Sequence, residues 1–188
     1  MRRAGVVIGA MLLALLLGGG CVVAQYNRLV ALSQRVDAQW AQVETVLQRR
    51  ADLVPNLVET VKGYMKHERS VFKMITDARA KLATARTPLE AARANEELTV
   101  ALSRLLFLAE NHPQLRANEN FLRLQDQLEG AENRIAVERR RYNQAVEEYN
   151  RTVRSFPTVI FARLFGFPLQ RQYFRAEERA REVPRVRF

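Results

Sequence analysis

The sequence predicts an all-α protein, one N-terminal transmembrane helix followed by three or four long helices, the number depending on a break at Pro55. Three observations lead there. Residues 4–24, AGVVIGAMLLALLLGGGCVVA, carry no charge over 21 positions. Beyond them apolar residues recur every three or four positions, the spacing that gathers them on one side of a helix. Loop formers are scarce, with 8 glycines and 6 prolines in 188 residues, which disfavours a many-stranded sheet and its frequent turns.

The uncharged run comes first. A helix rises about 1.5 Å per residue, so roughly 20 apolar residues cross a bilayer core. Arg2 and Arg3 precede the run and hold that end in the cytoplasm. The bulk of the chain is then periplasmic or extracellular on a single-pass bacterial membrane protein. Three fates compete for residues 1–24: an uncleaved signal anchor, a lipoprotein signal and an ordinary signal peptide. Cys21, the only cysteine, is the candidate lipidation site. A lipoprotein signal usually has Leu three positions before the cysteine, where Gly18 stands here, with Leu17 one step early. Ordinary cleavage after Ala24 would use Val22 and Ala24 as the small-residue site.

From Gln25 the chain is amphipathic. Leu29, Leu32, Val36, Trp40, Val43 and Leu47 share one face, and the stripe continues through Val54, Leu57, Val58, Val61, Met65, Phe72, Ile75 and Leu82. Pro55 lacks an N–H and clashes with the preceding turn. A kink or break is therefore expected near Leu53–Pro55, making residues 26–86 one bent helix or two stacked ones. Residues 87–90, TPLE, are a helix start. Thr87 can accept from the backbone at Glu90, Pro88 fits the first helical position, and Glu90 can reach back. That helix is expected to run to about Asn111 with Leu98, Leu102, Leu105, Leu106 and Ala109 inward, ending at Asn111–Pro113. A last long helix is expected over 114–154. Its seam steps from Phe121 through Leu124, Leu128, Ala131, Ile135, Glu138, Tyr142, Ala145, Tyr149 and Thr152, in coiled-coil fashion. Gly130 within it suggests close helix packing, and Phe156-Pro157 stops it. The chain thus divides into an anchor (1–24), a helical domain (25–155) and a C-terminal segment (156–188), hydrophobic and then basic.

Three blocks, QRRADLVPNLVETVKGY (48–64), ANENFLRLQDQLEGAENRIAVERRRYNQAVEEYN (117–150) and FPTVIFARLFGF (156–167), resemble the LemA family and occur in its order. The resemblance covers Tyr26 to about Phe174. It implies a membrane-anchored bacterial protein with an antiparallel bundle of long helices outside the cytoplasm. It brings no catalytic activity. Members vary between a membrane anchor and a lipoprotein-like start, and the family is discussed alongside membrane proteases and envelope stress. The basic end, RAEERAREVPRVRF (175–188), departs from the family pattern.

The residues themselves give little chemistry. His67 and His112 lie outside H-E-x-x-H, and the residues three before them are Tyr64 and Ala109, not the Glu of a di-iron bundle. Neither a phosphate loop nor a nucleophile elbow is present. The expectation is a non-catalytic protein with no cofactor and no metal. The net charge of +10 suits anionic partners, and an exterior location makes these lipid head groups rather than nucleic acid.

Two surfaces stand out. Arg139, Arg140 and Arg141 form a candidate partner stripe, read against the alternative of a solvated face with local ion pairs. Asn118, Asn120, Gln125, Gln127, Asn133, Asn143 and Asn150 add amides suited to bonds that fix helix register. In the C-terminal segment, Phe156, Ile160, Phe161, Leu164, Phe165, Phe167, Tyr173 and Phe174 are candidates for contact with the membrane or a second copy. Capping of the bundle is the competing role. The segment is too short to span a bilayer. From Arg154 onward eight arginines face only Glu177, Glu178 and Glu182, which favours anionic lipid. The functional expectation is a self-assembling, membrane-anchored scaffold or adaptor. The alternatives are a regulator of a membrane protease and, from another class, an unrecognised enzyme.

Overall fold

The computed structural model describes residues 2–65 and 68–175, with side chains at Met11 and from residue 19 onward. Among these residues all regular structure is helical: α1 (Arg2–Lys62), α2 (Arg69–Thr84), α3 (Pro88–Ala109), α4 (Pro113–Arg116), α5 (Glu119–Arg154) and α6 (Thr158–Leu164). The chain forms two compact units. The first contains residues 1–38 and 144–171, the second residues 39–143 and 172–188.

The long helices bury residues at intervals of seven, the mark of a coiled-coil seam. On α1, Leu29 and Val36 are buried in the first unit, and Val43, Arg50 and Leu57 in the second. On α5, Tyr149 is buried in the first unit, and Phe121, Leu128, Ile135 and Tyr142 in the second. Within the second unit the pairing is antiparallel. Trp40 packs on Tyr142 with ring centroids 5.3 Å apart, Arg50 reaches Glu132 at 2.7 Å, and Asn118 donates to the Tyr64 hydroxyl at 3.1 Å. As the number rises on the α1 side it falls equally on the α5 side.

Pro55 does not break α1, which runs unbroken to Lys62. The proline leaves the Ala51 carbonyl without its N–H donor, and Arg79 of α2 supplies one, Nε donating to that oxygen at 2.9 Å. The break falls instead after Lys62, where Gly63 opens the turn. Residues 26–86 therefore form α1 and α2, separated eight residues later than the proline suggests.

The start of α3 is as the sequence predicts. The Thr87 side chain accepts from the Glu90 N–H, and the Glu90 carboxylate accepts from the Thr87 N–H in return. Ala91, Ala92, Ala94 and Ala101 are buried beside Leu98, Leu102 and Leu105, and such small side chains let neighbouring helices approach closely. The expected 114–154 helix is two helices. Asn118 Oδ1 accepts from the N–H groups of Asn120 and Phe121, a side-chain cap that starts α5 afresh. Among the described residues a Cβ added at Gly130 would meet nothing within 4 Å, so the close packing expected there is not seen among them.

α5 ends at Arg154 before the Phe156–Pro157 pair, as expected, and the short α6 follows. α6 closes with a Schellman motif: Gly166 N–H bonds to Arg163 C=O and Phe167 N–H to Ala162 C=O. Gly166 has φ of +74°, a conformation that favours glycine.

Among the described residues no helix is long and apolar enough to cross a membrane. The side chains of 4–10 and 12–18, most of the expected crossing run, lie outside them, although the backbone there is part of α1.

Candidate functional site

The sequence YNQAVEEYN (142–150) repeats Tyr-Asn at a spacing of seven, and each copy binds the chain that follows α6. In the first unit, Asn150 Nδ2 donates to Arg171 C=O at 3.0 Å while Asn150 Oδ1 accepts the Arg171 N–H at 2.7 Å. Tyr149 donates to Pro168 C=O at 2.8 Å. In the second unit, Asn143 makes the same reciprocal pair with Phe174, and Tyr142 donates to Gln172 C=O. A primary amide presents a donor and an acceptor side by side, so one asparagine satisfies both backbone groups of an extended residue.

Arg171 is the centre of the first unit's polar contacts. Its guanidinium donates to Ser33 Oγ at 2.8 Å, pairs with Asp37 at 3.4 Å and lies over the Tyr149 ring, 5.7 Å from the centroid. Burial raises the Tyr149 phenol above its ordinary pKa, and Arg171 opposes that shift. Arg154 adds bonds to Leu169 C=O and to Gln170. Residues 168–174 thus form a strap whose backbone groups are held by side chains of α5.

The strap divides the candidate contact residues. Phe174 is buried in the second unit against Trp40, 6.1 Å between centroids, and belongs to the core instead of a contact surface. Phe161, Phe167 and Tyr173 are half-buried. Phe165 and Phe167 meet the Tyr26 ring edge-on at 5.1 and 5.9 Å. Phe156, Ile160 and Leu164 are 83%, 55% and 71% exposed. They follow one another at intervals of four, on one side of α6 and its approach, whereas Thr158 and Ala162 are buried on the other.

A second polar cluster went unmarked in the sequence. Arg50 occupies an apolar seat of the α1 heptad with its side chain 5% exposed. It donates to Asn95 of α3 and pairs with Glu132 of α5. Its Nε has no partner among the described residues, and burial lowers its pKa against the opposing pull of Glu132. Burying an ion costs several kcal/mol, so the cluster ties three helices in one register at some expense. The signal available in the sequence was a charge in the series Leu29, Val36, Val43, Arg50, Leu57.

Arg139, Arg140 and Arg141 are exposed on α5, and Arg141 pairs with Glu138 at 2.8 Å. Cys21 is exposed. His112 is the N-cap residue of α4 but makes no side-chain cap bond, and His67 lies outside the described residues, as does the basic end from residue 176. Among the described residues no three His, Cys, Asp or Glu side chains are placed to hold a metal. The second unit has an open groove of about 580 Å³ lined by Trp40, Glu44, Gln48, Ala51, Leu82 and Ala91 among others.

Seams at sevens, amide-bound strap and short terminal helix define a helical-bundle protein whose polar side chains largely hold its own backbone. The sequence model of the LemA family matches residues 39–188, and the chain belongs to that family. It is similar to Magnetosome protein MamQ 2 and Magnetosome protein MamQ 1 of Paramagnetospirillum magneticum. Each is 26% identical over 186 residues, covering 85% of this chain and 68% of the relative. It is also similar to Magnetosome protein MamQ of Magnetospirillum gryphiswaldense, 24% identical over 169 residues, covering 76% of this chain and 62% of the relative.

Proposed function

We propose that this protein is a membrane-anchored, exterior-facing and non-catalytic helical scaffold. The observation that carries the reading is the extent of α1. The uncharged run 4–24 and the amphipathic stretch after it belong to one helix, from Arg2 to Lys62. A run of that length and composition suits a bilayer, and Arg2 and Arg3 orient it with the bundle outside. Its similarity to proteins named magnetosome proteins is in keeping with the membrane association. The exposed arginines 139–141 offer such a scaffold a surface for an acidic partner.

Alkaline carbonate extraction of native membranes, followed by protease treatment of intact cells with the outer barrier opened, tests this. The chain is expected to stay with the carbonate-washed membrane and to be digested from outside. Release into the carbonate supernatant, or protection until the inner membrane is lysed, overturns the anchor or its orientation respectively.

A further inference from the structure

We propose that α6 is an interfacial membrane helix, laying Phe156, Ile160 and Leu164 into the head-group boundary of the bilayer that residues 4–24 cross. The inference rests on the anchored reading above and adds a second point of attachment.

Placement is the first argument. Within the first unit, Thr158 donates to the Gln25 side chain at 3.3 Å, and Tyr26 packs edge-on against Phe165 and Phe167. Gln25 and Tyr26 are the first residues after the apolar run 4–24. α6 is therefore docked on α1 where that helix would leave the hydrocarbon core. Direction is the second argument. Thr158 and Ala162 face inward, so the row Phe156, Ile160, Leu164 faces away from the unit's core. Val23 and Tyr26 on the adjoining α1 are also exposed, at 59% and 42%.

Charge is the third. From Tyr149 to Arg175 the chain has no acidic residue and carries Arg151, Arg154, Arg163, Arg171 and Arg175. Arg163, beside Leu164, is exposed. An apolar row flanked by arginine suits an anionic lipid surface. Seven helical residues span about 10 Å, far less than the roughly 30 Å of a bilayer core, so α6 can lie in the interface but not cross. A second copy is the weaker occupant, because a stable protein interface engages about 20–30 residues on each side and this row supplies three.

The test uses the full chain carrying Cys21→Ser, with single spin-labelled cysteines introduced as Ala14→Cys, Gln127→Cys or Ile160→Cys. Each is reconstituted into vesicles of phosphatidylethanolamine and phosphatidylglycerol, and collision rates with oxygen and with a water-soluble nickel chelate are measured. The label at 160 is expected to be several-fold less accessible to nickel than the label at 127, and richer in oxygen. Phe156→Ser with Leu164→Ser is expected to return it toward water. Nickel access at 160 equal to that at 127, with the label at 14 oxygen-rich, overturns the α6 proposal and leaves the anchor standing. A label at 160 shielded from both reagents indicates a protein neighbour and overturns it too. A nickel-accessible label at 14 overturns the anchored reading and, with it, this one.

Discussion

Arg79 Nε donates to the carbonyl of Ala51 at 2.9 Å, the oxygen that Pro55 leaves without its helical partner. A proline is thereby carried inside a long helix by a residue of another helix. Arg79→Met is expected to cost about 1–2 kcal/mol in urea unfolding, the usual consequence of orphaning a buried acceptor. In a Pro55→Ala background residue 55 can donate to Ala51 itself, so the same substitution is expected to cost clearly less. Equal costs in the two backgrounds would mean that Arg79 acts through packing and not through this carbonyl.

Arg50 sits in a seat built for an aliphatic side chain, held by Asn95 and Glu132. Removing the acid while leaving the buried guanidinium is the damaging change, and Glu132→Ala is expected to cost about 2–4 kcal/mol, since the carboxylate is itself partly exposed. Arg50→Met removes the charge and keeps the volume, and is expected to cost less than Glu132→Ala. Chemical denaturation of the two variants and the double variant checks the order. The reverse order would mark Arg50 as a net stabilising ion.

Asn150 serves both backbone groups of Arg171. Asn150→Ala is expected to raise the hydrogen-exchange rate of the Arg171 amide about fivefold or more, as about 1–3 kcal/mol of local protection is lost. Asn150→Asp keeps the acceptor and removes the donor, and is expected to protect that amide better than alanine does. Exchange at 171 indifferent to both changes would sink the role assigned to the asparagine.

Tyr149 is buried, and its phenol titrates above the ordinary value chiefly for that reason. The folded chain therefore holds this proton after the unfolded chain has lost it. Stability is complete below the unfolded pKa of about 10 and falls as pH rises beyond it. Tyr149→Phe is expected to flatten part of that alkaline decline relative to the native chain, whatever constant offset it adds by losing the Pro168 bond. Parallel urea midpoints for the two proteins across the alkaline range would contradict the assignment.

The features legible in the sequence were those fixed within one turn of chain. The Thr87–Glu90 cap and the seams on α1 and α5 needed only local spacing. Pro55 misled because its remedy, Arg79, comes from a separate helix. Asn118 was visible as an amide but not as the cap that starts α5 at Glu119, six residues after α4 begins at Pro113. The amides of Asn143 and Asn150 suggest bonds that fix helix register, but their partners are backbone groups of an extended strap, which leaves no periodic trace. Phe174 looked like a contact residue for the same reason, since its burial depends on where Asn143 holds it. Arg50 was hidden by its neighbours: in the pair Arg49-Arg50 only the heptad distinguishes the buried arginine from the exposed one.

On the proposed reading α1 runs from within the membrane into the bundle as one uncleaved helix. The intact mass of the protein extracted from its native membrane tests it most directly. The expected mass is that of the full chain, about 21.6 kDa, with Cys21 unmodified. A chain shortened to begin at Cys21 and carrying added acyl mass would contradict it, leaving the bundle on a lipid tether with no helix through the bilayer.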